Sequence, residues 1–171
     1  MLQILSSSNA RFPYQVFIDN PAGQAIKHLY NEKTLEFIRS VEVAAPYPFP
    51  YGFFLNTTSG DGDNLDCFVL TTTPIIRGQT VPVEPIGVME VIENDEIDHK
   101  IIAQLEGESA RFDDEIKDTL ACFIYEVFSD RPDKHMIVGN FLDRAEAIQM
   151  ILTAKDSNDI CPPNKARYYE V

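Results

Sequence analysis

The chain has no tryptophan, only three cysteines, and few basic residues: 14 Lys+Arg stand against 27 Asp+Glu, for a formal net charge of −13. Each shortage excludes something. Cys67, Cys122 and Cys161 are widely spaced and form no CxxC pair, which argues against a disulfide framework and a zinc knuckle and for reduced thiols. No stretch approaches the roughly 20 apolar residues of a membrane helix, and 1-MLQILSSSNA-10 lacks the basic flank and long apolar segment of a signal peptide. The expectation is a cytoplasmic protein with no membrane partner. Scarce Lys and Arg argue against nucleic acid as a partner, because phosphate backbones are bound through clustered cations. The aromatic content, 11 Phe and seven Tyr, then fits barrel packing better than a base-stacking surface.

What is present suits one compact domain over 1–171: 44% of residues are hydrophobic and no internal repeat is visible. Strand-like segments occur at 14–19, 35–43, 66–73, 80–93 and 100–105, with Pro82, Pro85 and Gly87 marking bends or bulges in the longest. Three prolines within 46-PYPFP-50 make an extended connection. The remainder reads as helical. Ile116, Leu120, Phe123, Ile124 and Val127 form one stripe within 111–130, with Cys122 assigned to the core side. A second helix starts at Asp143, with Glu146 three residues on. The segment 156–171, with Pro162 and Pro163, reads as an irregular tail. Short strands followed by helices suggest a small α+β barrel with helices packed outside it.

The segment 61-DGDNLDCFVL-70 crowds three carboxylates before an apolar run. It is not an EF-hand loop, since Leu65, Asp66 and Thr72 occupy positions that need a ligand, the glycine and the bidentate Glu. Two readings remain, a solvated acidic turn and a Mg²⁺ site that handles phosphate. A second acidic cluster, 93-ENDEID-98, precedes Lys100, and a meander would bring it near the first. Lys27, Arg39 and Tyr51 add cations and a phenol able to clamp phosphate. His28, His99 and His135 show no ligand spacing, and His99 reads as surface or supporting.

These residues resemble the soluble family I inorganic pyrophosphatases. Asp61 to Asp66 is similar to the family signature Asp-x-Asp-Pro-x-Asp, and 47-YPFPYGF-53 to its Tyr-Pro-x-Asn-Tyr-Gly segment. Likewise 98-DHK-100 resembles its Asp-x-Lys, 85-PIGVME-90 its Pro-x-Gly-Val strand, and 19-DNPAGQAIK-27 its opening segment. The resemblance implies a five-stranded OB-like closed barrel with flanking C-terminal helices, using several Mg²⁺ ions to split pyrophosphate into two phosphates. It implies Asp61, Asp66, Glu93, Asp98 and Asp19 as metal residues, and Asp63 as general base on a metal-bound water. Lys27, Arg39, Tyr51 and Lys100 would hold phosphate and complete the catalytic set. It also implies a homo-oligomer, hexameric in the family's short members.

Several positions depart from the family pattern. Asn64 replaces Pro, Pro50 replaces Asn, Glu93 replaces Asp, Asp19 replaces Glu, Leu29 stands at a second Glu, and Phe128-Ser129 stand at a Tyr-Lys pair. Arg131 is near enough to replace that lysine. The competing expectation is a catalytically impaired homologue that binds a phosphate compound or a protein.

Overall fold

The computed structural model describes residues 14–156. In chain order these form β1 (Tyr14–Asn20), β2 (Ile26–Asn31), β3 (Glu36–Glu42), β4 (Tyr51–Phe54), β5 (Asp66–Val69), β6 (Thr80–Glu93), β7 (Glu96–Ile97), β8 (Lys100–Leu105), α1 (Asp114–Glu126), β9 (Met136–Leu142) and α2 (Arg144–Ala154). The expected irregular tail, with Cys161, lies outside the described residues from 157 on.

A ring of pairings runs β1, β4, β5, β8, β6 and back to β1, which closes a five-stranded barrel. Closure removes the open edges that a short sheet would otherwise expose. β9 extends the sheet alongside β6, and β2 with β3 makes a separate hairpin. Within the ring only β5 and β8 are parallel, with Cys67 opposite Ile101. The two acidic clusters are thus joined by a parallel pairing, not by the meander expected from the sequence.

Alternating side chains feed two cores. Val16, Ile18, Phe54, Cys67, Val69 and Ile101 pack with Ala147 and Ile151 of α2. Phe68, Met89, Val91 and Ile102 pack with Leu120, Phe123 and Ile124 of α1. Each such buried side chain contributes roughly 1.5–3 kcal/mol relative to exposure. The barrel walls are close enough to demand glycine at position 52, where an added Cβ would lie 1.9 Å from the Phe17 carbonyl oxygen of the neighbouring strand.

Both helices start at an aspartate cap, the second at the Asp143 that the sequence indicates. The Asp113 side chain accepts from the Ile116 N–H, and Asp143 accepts from the Glu146 N–H, each satisfying a donor the first turn leaves unpaired. Four elements escape the sequence reading: β2, β4, the two-residue β7 and β9, the last interrupting a stretch expected to be helical. Cys122 is also exposed, because it lies off the Leu120, Phe123 and Ile124 face. β6 stays continuous through Pro82 and Pro85, with a register shift against β8 between Pro85 and Gly87.

Candidate active site

At one end of the barrel a cavity of about 220 Å³ gathers residues from segments far apart in sequence. Asp19 enters from a bulge: β1 pairs Ile18 with Gly52 and Asn20 with Tyr51, so Asp19 is the extra residue. A bulge re-aims the side chain it carries. Asp19 accepts from Asn20 Nδ2 at 2.8 Å, and Asn20 Oδ1 accepts from the His28 N–H at 2.7 Å, which ties β1 to β2. Lys27 and Leu29 come from β2, and Tyr51 from the first position of β4.

Asp61, Asp63 and Asp66 line the same cavity with Glu93 at the end of β6 and Asp98 just before β8. The parallel register explains the junction. With Cys67 opposite Ile101, Asp66 and Lys100 start adjacent strands side by side. Lys100, only 5% exposed, places Nζ 2.5 Å from Asp66 Oδ2 and 2.7 Å from Asp98 Oδ2. Glu93 pairs with Lys134, Oε1 to Nζ at 2.5 Å.

Of the ten residues expected at the site, nine line the cavity. Arg39 does not. It sits on exposed β3 directly across from Leu29, on the same face of the hairpin and therefore beside the cavity rim. Several lining residues were not foreseen as part of the site, Glu32 and Tyr47 among them. Glu32, in the β2–β3 turn, lines the cavity, and Tyr47 does so too, its ring 5.4 Å from that of Tyr51. The turn offered a signal for Glu32: Asn31 Oδ1 accepts from the backbone N–H groups of Lys33 and Thr34, the local capping for which Asn is favoured in turns. Phe128 carries three cations around its ring, with Lys27, Arg131 and Lys134 at 5.4, 5.2 and 5.3 Å from its centroid.

The electrostatics follow from crowding like charges at a partly dry surface. Burial and then the neighbouring Asp66 raise the Asp19 carboxyl well above its usual pKa. Glu32 is pushed up to about 7, by burial and then by Asp66. Burial followed by Asp61 and Asp66 raises Asp63, and burial raises Asp98 despite Lys100. Burial also acts to raise Asp61, but hydrogen bonds from the Ser59 hydroxyl and the Asp63 N–H outweigh it and bring the carboxyl down. Lys100 is driven the other way from its burial, well above the usual range, because Asp66 and Asp98 flank it. Burial and then Asp66 likewise push the Tyr51 phenol up, so it serves as a neutral donor.

Among the described residues no three carboxylates or imidazoles already surround a common point, and the Lys100 ammonium lies between Asp66 and Asp98. The donor chemistry nevertheless fits hard divalent cations: several carboxylates face one cavity with more negative charge than Lys27 and Lys100 balance.

A sequence model of inorganic pyrophosphatase matches residues 16–158. The chain belongs to the family I soluble inorganic pyrophosphatases. An inorganic pyrophosphatase from Nanoarchaeum equitans is 32% identical over 151 residues, covering 82% of this chain and 94% of the relative. One from Brucella melitensis is 33% identical over 160 residues, covering 86% and 91%. Among solved structures, an inorganic phosphatase from Anaplasma phagocytophilum superposes with a TM-score of 0.76 at 28% identity, over 89% of this chain and 96% of that one. The pyrophosphatase barrel is thus the frame on which Leu29, Asn64, Glu93 and Phe128 sit.

Proposed function

We propose that this pyrophosphatase hydrolyses inorganic pyrophosphate to two phosphates with several Mg²⁺ ions per subunit, and that Asp63 takes the proton of the attacking water. One observation carries the reading: Asp63 shares a cavity with the five other expected carboxylates and with Lys27, Tyr51 and Lys100. Asp19, Asp61, Asp66, Glu93 and Asp98 are the residues to hold cations. Magnesium, when bound, supplies Lewis acidity toward water and the phosphoryl oxygens.

The protein's own residues position and neutralise, which is most of what phosphoryl transfer asks of a protein. A raised pKa fits Asp63 for its part, since a carboxylate tuned upward is a better proton acceptor near neutral pH. As water attacks one phosphorus, the bond to the bridging oxygen breaks and charge develops on the departing phosphate. Lys27 and Arg39 stabilise that charge from β2 and β3, Lys100 does so from the cavity floor, and Tyr51 donates a hydrogen bond. Family analogy favours a cytoplasmic homo-oligomer, with a hexamer the expected form. No helix among the described residues is long and apolar enough to cross a membrane.

A second reading has specific support, because Leu29 and Phe128 put apolar groups in the cavity where the sequence resemblance implies charged and phenolic ones. It is a chain that binds phosphate compounds without turning them over. Phosphate release from pyrophosphate with Mg²⁺ decides between the readings. Release by the wild type that D63N reduces at least ~100-fold supports hydrolysis through Asp63. No release favours the binding protein, and equal release by D63N removes Asp63 from its role.

A further inference from the structure

The turn between β2 and β3 grips the acidic loop that carries Asp61 and Asp63. Glu32 Oε2 accepts from the backbone N–H of Asn64 at 2.6 Å, and the Glu32 carbonyl accepts from Asn64 Nδ2 at 3.4 Å. Next to it, Lys33 Nζ donates to Asn64 Oδ1 at 2.5 Å, to the Thr57 carbonyl at 2.7 Å and to Thr58 Oγ1 at 3.0 Å. Asn64 is 3% exposed, so this grip is internal. The N–H at position 64 exists because the residue is not proline, and a proline in the signature position would leave Glu32 without this donor.

The same cavity contains Leu29, whose apolar side chain on β2 brings it no charge. Glu32 lies three residues further along the same hairpin, and its carboxylate reaches the cavity from the turn. We propose that Glu32 is a cation-holding carboxylate of this site, delivered by the hairpin turn and fixed by the Asn64 N–H, and that it supplies the charge Leu29 does not. Leu29, Asn64 and the Glu32-Lys33 turn are then parts of one rearrangement. In this chain the carboxylate comes from the turn and not from the strand, and Asn64 holds it. This rests on the metal-dependent reading above.

The test is Mg²⁺ binding without substrate, measured by calorimetry and by the rise in melting temperature on adding Mg²⁺, for wild type, E32Q and E36Q. Glutamine keeps the size of Glu32 and an acceptor for Asn64, and removes only the charge. Glu36 is an exposed residue of the same hairpin and controls for net charge. The expected result is a roughly 10-fold or greater loss of Mg²⁺ affinity in E32Q and a smaller Mg²⁺-induced rise in melting temperature, with E36Q unchanged. In the wild type, Mn²⁺ should also broaden the Glu32 resonances, which tests the idea without any variant. E32Q binding like wild type, E36Q weakening equally, or no broadening at Glu32 would each overturn the assignment and leave the hydrolytic reading standing if wild type still releases phosphate. A wild type that takes up no Mg²⁺ would overturn both.

Discussion

Lys100 Nζ lies 2.5 Å from Asp66 Oδ2, a contact set by the parallel pairing of two strands whose first residues these are. Lys100 also holds Asp98, and the three charges are largely out of water. Removing the cation leaves two carboxylates facing each other with no partner. K100M is therefore expected to destabilise the metal-free chain by roughly 3 kcal/mol, read from urea unfolding. An unchanged midpoint would mean that Lys100 has no structural part.

Gly52 sits where two strands of the barrel come closest. Alanine there would drive its Cβ into the Phe17 carbonyl oxygen, and backbone cannot yield as a flexible side chain can. G52A is expected to lose roughly 3 kcal/mol or more, or to fail to fold, by thermal melting and circular dichroism. A stable G52A barrel would show that β1 and β4 can separate.

His28 gives a pH dependence of definite sign. Burial, and then the Arg77 guanidinium, hold its imidazole below the ordinary 6.5. Its ring faces Ser40 Oγ at 2.7 Å, Arg77 at 3.2 Å and Gln24 at 3.4 Å, with Lys27 its chain neighbour. Between the folded and unfolded pKa values the unfolded chain binds more protons, so this group's contribution is present above 6.5 and is lost as pH falls through the folded value. The raised carboxylates act in the opposite sense, so the useful quantity is a difference. The stability of wild type minus that of H28Q should fall between pH 7.5 and 5.5, and a constant difference would remove His28 from the account.

Phe128 organises Lys27, Arg131 and Lys134 around one ring, each contact worth about 0.5–1 kcal/mol at a partly exposed site. With the ring gone, Lys27 loses its support at the cavity wall. F128A should raise KM for pyrophosphate several-fold and lower kcat less, because it loosens a binding group and leaves Asp63 alone. A pure kcat loss would contradict this.

Much of the barrel was legible because strand periodicity is a local signal. β1, β3, β6 and β8 stand where alternation and turn residues indicate, and Asp113 and Asp143 cap the helices. β4 was hidden because the prolines of 46–50 end just before Tyr51, and β9 because Met136–Leu142 follows one helix and precedes another. The carboxylate set was legible through motif spacing, but the link between its two clusters is a matter of register, which no local pattern encodes. Asn31 marks the turn that carries Glu32, but the part Glu32 plays was illegible for a related reason. Its role depends on how far a turn reaches across to residue 64, not on the residues beside it.

β6 pairs with β1, β7, β8 and β9, and so forms the spine of the sheet. A chain emerging from the ribosome and ending before Thr80 has β1, β4 and β5 but nothing to close them, and the last pairing of the ring needs β8 as well. The ring therefore closes late in synthesis, and the early strands wait with open edges. In hydrogen exchange the amides of β6 that face β1 and β8 should be the last to open, so that the strand made midway through the chain completes the ring in folding and is the last to leave it in unfolding.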